Sequence, residues 1–320
     1  MLGYLGIDTS NYTTSCAIYR AGGVVSQKRL LPVPQGQVGL RQSDAVFSHV
    51  KALGELMTTL RAQDNQPLAA IGATRRPRDI EGSYMPCFLT GLMAAETAAA
   101  ATDVPLYTFS HQAGHVAAAL YGADRLELIN KNFLAFHLSG GTTECLWVKS
   151  LPKADIVLLS CTNDLNAGQV VDRVGHMLGL DFPAGPALDA LAQQSTRSFK
   201  VKSAFQSENP CLSGIENQCR AMLTKGEPPA DIARFCLLSI LSALLKMAEN
   251  AKTATGCTDL VFAGGVMSNS IIRAEVEGRY NGIFAPPEFS CDNAAGIAVL
   301  TALAAGETVT RAGVGGGARA

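Results

Sequence analysis

His111 and His115, in Ser110-His-Gln-Ala-Gly-His115, are the residues whose type and spacing point most directly to chemistry. At the start of a helix, an i, i+4 pair puts both imidazoles on one face about one turn apart, a spacing that suits one metal ion. Two of the five histidines of the chain fall within this turn. The competing reading is a surface pair without a shared role. A third, hard ligand is needed, and two histidines with one carboxylate suit iron, zinc or manganese. Asp292, in Phe289-Ser-Cys-Asp292-Asn293, stands before a helix and reads by itself as a cap.

A second kind of chemistry is written in glycines. Leu134 to Glu144 reads LAFHLSGGTTE, a strand entering Ser139-Gly140-Gly141-Thr142 and leaving as a second strand. Two glycines in such a turn permit φ > 0 and close backbone approach, and the neighbouring hydroxyl and N–H groups present donors to an anion. An ordinary hairpin turn is the alternative. Gly264-Gly265-Val266-Met267-Ser268-Asn269 follows a buried strand and opens a helix, another geometry that suits a nucleoside or phosphate. Asp172 falls on a helix near Pro183-Ala-Gly185-Pro186, where a solvated charge is the plainer reading.

The elements that must carry these residues repeat. A displacement of 129 positions, from Leu5 to Leu134, lays Leu5-Gly-Ile-Asp-Thr-Ser10-Asn-Tyr-Thr13-Thr14-Ser-Cys16 on Leu134 to Cys145, with identity at Leu, Ser, both Thr and Cys. Both copies start a strand, turn, strand pattern followed by alternating helices and strands, which implies a duplicated α/β lobe with a cleft between the copies. Strands are expected at Tyr4 to Thr9, Thr14 to Arg20, Val24 to Leu31, Leu68 to Thr74 and Leu106 to Phe109, and again at 133–138, 143–149, 156–160 and 259–262. Val46, Val50, Leu53, Met57 and Leu60 recur at one helix face, with Ser43 or Asp44 as the cap. Further helices are expected at Pro86 to Ala101, at about 167–178 and 187–194, at Asp231 to Ala251, Met267 to Tyr280 and Asn293 to Leu303. The domain reading is an N-terminal lobe over 1–125 completed by 291–312, a C-terminal lobe over 126–290, and a frayed tail from Gly313 to Ala320.

Composition bounds what this frame can do. At 320 residues, 48% hydrophobic and 17% charged, the chain can bury a large core. No basic n-region precedes Asp8, and the apolar run from Phe235 to Ala248 is too short and polar to span a bilayer, so a cytoplasmic location without a membrane is expected. Nine cysteines without a C-x-x-C pair read as reduced core residues. A formal net charge of −1 argues against a self-sufficient nucleic-acid binder, so any RNA contact needs a local patch or a partner.

Taken in order, these motifs resemble the TsaD family, threonylcarbamoyl transferases of tRNA modification earlier known as O-sialoglycoprotein endopeptidases. The resemblance covers nearly the whole chain. It rests on Leu5-Gly-Ile-Asp-Thr-Ser10, His111-Gln-Ala-Gly-His115, Leu138-Ser-Gly-Gly141-Thr142, Asp172 with Gly179-Leu-Asp-Phe-Pro-Ala-Gly185-Pro186, Leu212-Ser-Gly-Ile215, Gly264-Gly-Val-Met-Ser-Asn269 and Cys291-Asp292-Asn293. It implies a duplicated two-lobed fold of the actin and sugar-kinase, RNase H-like type. It implies that His111, His115 and Asp292 hold one divalent metal, iron first and zinc or manganese as alternatives. It places an adenine nucleotide or threonylcarbamoyl-adenylate on His137, Leu138, Ser139, Gly140, Gly141, Asp172, Gly185 and Asn269. tRNA would be the acceptor, met together with partner proteins of a threonylcarbamoyl complex.

The chain also departs from the family pattern near the expected cleft. Tyr12-Thr13 stands where the family carries Asp-Glu, Gly168-Gln169 where it carries Gly-Glu, and Glu216 where it carries Lys. Arg75-Arg76-Pro77-Arg78 replaces Gly-Pro-Gly, and its arginine forks suit an anionic group of the substrate or of the tRNA backbone. The competing functions are a nucleotide-binding ATPase or regulatory paralogue without transfer and, last, a metallopeptidase, for which Gln112-Ala113-Gly114 offers no general-base glutamate.

Overall fold

The computed structural model describes residues 1–10, 12–32, 40–291 and 293–312. Asn11, residues 33–39, Asp292 and the expected tail all lie outside the described residues. The chain divides into two compact units, Met1–Lys131 with Ser150–Asp155 and Glu288–Ala320, and Asn132–Lys149 with Ile156–Pro287.

The first unit opens with strands β1 (Gly3–Ser10), β2 (Thr13–Arg20) and β3 (Gly23–Leu30), then helix α1 (Gln42–Gln63), β4 (Leu68–Arg76), α2 (Phe88–Thr102), β5 (Leu106–Ser110) and α3 (His111–Gly122). The second unit runs through β6 (Phe133–Leu138), β7 (Thr143–Ser150), β8 (Asp155–Cys161), α4 (Ala167–Met177), α5 (Gly185–Ala192), β9 (Ala204–Gln206), β10 (Asn209–Cys211), α6 (Ser213–Thr224), α7 (Pro229–Thr255), β11 (Leu260–Ala263), α8 (Ser270–Tyr280) and β12 (Ile283–Phe284). Short α9 (Pro287–Ser290) leads to α10 (Ala295–Ala304), which belongs to the first unit.

Each unit is built on a five-stranded sheet, ordered β3-β2-β1-β4-β5 in the first and β8-β7-β6-β11-β12 in the second. In both, a hairpin supplies an antiparallel pair and the next two strands join in parallel. The duplication extends to register. Thr9↔Thr14 and Asp8↔Ser15 in the first hairpin become Leu138↔Thr143 and His137↔Glu144 in the second, with the displacement of 129 seen from Leu5 to Leu134 kept throughout. A one-residue slip would have exchanged the two faces of each strand, carrying Asp8 onto the side of Leu5 and Ile7.

Strand alternation decides which residues meet which helices. In β1, Leu5 and Ile7 join Leu53, Leu56 and Leu60 of α1 and Ala95 and Ala99 of α2 in one apolar cluster. The other face takes α10, so close that a methyl group on Gly6 would sit 2.4 Å from the Ala298 nitrogen. Asp8 shares that second face, since side chains alternate along a strand. Helix α3 lies equally close to α10, where a methyl on Gly296 would sit 1.9 Å from the Gly114 carbonyl oxygen. On Gly114, the glycine between the two histidines of α3, a methyl would sit 2.7 Å from Ile297 Cδ1, so packing as well as motif favours glycine there. In the second unit Leu134, Phe136 and Leu138 pack with α4, α5 and α7, and Phe136, Phe262 and Phe284 stack in sequence with centroids 5.0 Å and 5.2 Å apart.

Several elements differ from the expectation. Val50 is 56% exposed, and the buried face of α1 runs through Ala45, His49, Ala52, Leu53, Leu56 and Leu60. Valine spacing alone could not rank that face below one offering a buried histidine partner, for the Thr14 hydroxyl lies 2.8 Å from His49 Nδ1. The helix begins before Ser43, because the Arg41 carbonyl already accepts the Asp44 and Ala45 N–H groups. The helix expected from Met267 is broken: Gly265–Ser268 is a 3-10 turn, and Asn269 is extended as it caps α8 by accepting the Ile272 N–H. Helix α7 is longer than expected, from a proline in its first turn to Gly256, which is left-handed at φ 70°. Among the described residues, no helix is long and apolar enough to cross a membrane.

Candidate functional site

In the first unit, β5 ends and α3 begins within one residue. Ser110 caps the helix, its hydroxyl accepting the Ala113 N–H at 3.1 Å, and the two histidines follow on one face. His111 Nε2 and His115 Nε2 lie 2.8 Å apart, with ring centroids separated by 4.2 Å. The far side of the first ring is held by β1, where Asp8 Oδ2 lies 3.2 Å from His111 Nδ1. Asp8 is fully buried and also accepts the Thr74 hydroxyl at 2.7 Å and the Ser10 hydroxyl at 2.8 Å. Asp8 thus holds the Nδ1 side of the His111 ring, while the Nε2 side faces His115. The Phe88 ring meets the His111 ring edge-on at 6.1 Å.

This donor set fits a divalent metal. Two imidazole nitrogens face a common point, and the outer nitrogen of one is oriented by a carboxylate, as in metal-ligating histidines generally. Side-chain rotation of a few tenths of an ångström would open the 2.8 Å gap to the spacing of two ligands on one ion. Among the described residues, no group of three or more His, Cys, Asp or Glu is arranged to hold a metal by itself. The expected third ligand, Asp292, lies outside the described residues.

In the second unit, the glycine-bearing residues gather at the C-terminal ends of β6 and β11. Gly264, at φ 97°, crosses so near the hairpin that a methyl group on it would sit 2.2 Å from the Leu138 carbonyl oxygen and 2.8 Å from His137 Cδ2. The start of α4 abuts the same turn, with the Gly168 N–H donating to the Ser139 carbonyl at 3.0 Å. Asp172 is engaged structurally, its Oδ1 accepting the Ala184 N–H at 2.9 Å and so fixing the entrance to α5 beside Gly185. Asp189 of α5 then accepts both the backbone N–H and the hydroxyl of Ser270, next to Asn269. His137, Leu138, Ser139, Gly140 and Gly264 are thus in one neighbourhood, and Asp172, Gly185 and Asn269 are tied to one another through α5.

Two details of the hairpin differ from the sequence reading. Neither Gly140 nor Gly141 takes positive φ, a conformation that Gly264 takes instead. The Ser139 hydroxyl accepts the Gly141 and Thr142 N–H groups at 3.3 Å and 3.1 Å, so the turn satisfies those donors internally. What the two glycines leave is room, since nothing lies within 4 Å of a methyl group built on either. The buried thiols beside the two hairpins, Cys16 and Cys145, are pushed up by burial, Cys16 to about 12, which excludes either as a nucleophile at neutral pH.

Asp8 was missed as a site residue, although its signal was present. A carboxylate inside the apolar run Leu5-Gly-Ile-Asp8 must be paired if the strand is buried. Its counterpart at the displaced position is His137, so the duplicated hairpins carry different polar groups at one structural position.

Comparison with known proteins gives the family and the fold. A family model described as TsaD, tRNA N6-adenosine threonylcarbamoyltransferase, matches residues 40–299. The tRNA N6-adenosine threonylcarbamoyltransferase of Thermus thermophilus is 31% identical over 307 residues, covering 92% of this chain and 90% of that protein. The protein of the same name from Gloeobacter violaceus is 31% identical over 311 residues, covering 91% and 87%. Among solved structures, component A of (R)-2-hydroxyglutaryl-CoA dehydratase from Acidaminococcus fermentans matches at a TM-score of 0.57 and 17% identity, covering 96% of this chain and all of that one. Full-length HypF in its phosphate- and nucleotide-bound form matches at 0.62 and 11%, covering 94% of this chain and 55% of that one. The fold is the duplicated actin-like and sugar-kinase type.

Proposed function

This chain belongs to the TsaD family of tRNA N6-adenosine threonylcarbamoyltransferases, and from that premise we propose that it transfers a threonylcarbamoyl group from threonylcarbamoyl-adenylate to the N6 amine of an anticodon-loop adenosine in tRNA. The observation that carries this reading furthest is the facing pair of ring nitrogens on α3, 2.8 Å apart and oriented by Asp8. In the proposed site His111, His115 and Asp292 hold one divalent cation, iron first. Such an ion supplies positive charge to the phosphate oxygens of the adenylate.

The residues of the chain do the rest by positioning. Asp8 orients the His111 ring through Nδ1. His137 to Gly141, with the room above Gly140 and Gly141, receive the nucleotide, and Asp172, Gly185 and Asn269 hold the surrounding helices. The N6 nitrogen bonds to the carbamoyl carbon, the bond from that carbon to the phosphate oxygen breaks, AMP leaves with the electron pair, and the amine gives up a proton. With a net charge of −1, the chain meets tRNA together with partner proteins. A cytoplasmic setting follows from this substrate.

A second reading, a nucleotide-binding paralogue without transfer, is favoured by one feature: Tyr12-Thr13 removes two carboxylates from the first hairpin, and Thr13 is committed to the strand pair with Ser10. One experiment separates the readings. Cells depleted of their own transferase are given this protein with its natural partners, and tRNA nucleosides are measured by mass spectrometry. Recovery of threonylcarbamoyladenosine supports transfer. Its absence, with the protein folded and binding ATP, supports the paralogue.

A further inference from the structure

The segment after β4 forms a brace on the histidine helix. Arg76 pairs in register with Ser110, where the β4 to β5 ladder shifts between Thr74 and Arg76. From there the chain lies against the first turn of α3. The Pro77 carbonyl accepts the Gln112 N–H at 3.0 Å, and Asp79 Oδ2 accepts the Ser110 hydroxyl, which itself accepts the Ala113 N–H. The Arg76 guanidinium grips Asp79 Oδ1 through Nε at 3.2 Å and through Nη2 at 2.9 Å. The Asp79 side chain is 7% exposed, and its oxygens are paired with Arg76 and Ser110 beside the helix start.

These contacts account for two of the four N–H groups that a helix start leaves without internal partners. They therefore determine where α3 begins, and with it the direction of the rings one residue and five residues beyond Ser110. We infer that Asp79, held by Arg76, is a positioning residue for the His111 and His115 pair, an inference that rests on the reading of that pair as a divalent-metal site. Arg76 is thereby occupied by Asp79, which replaces the expectation that its fork is open to an anionic ligand.

The test is cobalt(II) titration of the full-length protein, reading affinity by calorimetry and ligand geometry by the d–d absorption band. Asp79→Ala should weaken cobalt binding about tenfold and alter the band, as loss of an orienting partner does at metal sites generally. Asp79→Asn, whose amide oxygen can still accept from Ser110, should recover most of the affinity. Arg76→Gln provides a milder variant should Asp79→Ala fold poorly, and it should move affinity in the same direction. Wild-type affinity and band in Asp79→Ala and Arg76→Gln would overturn the inference. If the wild type itself takes up no cobalt beyond the level of His111→Ala/His115→Ala, the metal reading falls. The brace is then judged by hydrogen exchange at the Gln112 and Ala113 amides: faster exchange in the two variants supports it, and unchanged protection overturns it.

Discussion

Asp8 Oδ2 and His111 Nδ1, 103 positions apart in sequence, from 8 to 111, are brought to 3.2 Å by the pairing of β1 with β4 and of β4 with β5. The contact makes a buried carboxylate in the central strand the orienting partner of the first histidine of α3. Asp8→Ala would leave the buried Thr74 and Ser10 hydroxyls without their acceptor. The expected cost is about 2–4 kcal/mol of unfolding free energy, at roughly 1–3 kcal/mol for each unsatisfied buried group less some relaxation. Cobalt affinity should fall about 10-fold to 100-fold. Chemical denaturation and metal titration of the same variant check both figures, and unchanged metal affinity would show that Asp8 serves the fold alone.

The two glycine turns of the second unit make opposite predictions. Gly141 is exposed and has open space around it, so Gly141→Val should leave the melting temperature within about 1–2 °C of wild type. A ligand seated over the turn would be crowded, and affinity for an adenine nucleotide should drop at least about tenfold. Gly264→Ala meets a backbone oxygen at 2.2 Å from a residue at φ 97°, and should cost about 2–4 kcal/mol whether ligand is present or not. Thermal scans and nucleotide calorimetry separate the two effects. A Gly141→Val protein that binds as wild type would remove the hairpin from the nucleotide site.

Stability should depend on acid through one pair at the outer end of β2. The Arg20 guanidinium, bonded to Asp64 through Nε at 2.8 Å and through Nη2 at 2.7 Å, holds the Asp64 carboxyl below its usual range. A group whose folded value is depressed contributes stability above its unfolded value, near 4, and loses that contribution as pH falls through the folded value. Asp64→Asn should therefore be less stable than wild type by about 1–2 kcal/mol at pH 7. The difference should shrink as pH falls below about 4 and the carboxylate is protonated. Urea titrations across that range measure it, and a gap independent of pH would assign the loss to packing.

Much of the architecture was legible from the chain alone, because hairpins and helix starts are written in neighbouring residues. Ser139-Gly140-Gly141 sits between two apolar strands, His111 and His115 follow a serine cap, and the displacement between Leu5 and Leu134 reappears unchanged in the register of both hairpins. Each of these signals depends on spacing within one element, which backbone geometry fixes. On α1 the expected Leu53, Met57 and Leu60 do pack on the core, and Val50 alone was misplaced, because Val50 and Ala52 differ little in pattern and only the sheet beneath, with Thr14 opposite His49, selects between them. Tertiary structure alone decided that Asp8 meets His111, that Asp172 holds Ala184, and that Arg76 is taken by Asp79. Those partners come from separate strands, helices and loops, and a buried charge takes whichever donor the assembled core brings within about 3 Å, which no local pattern encodes.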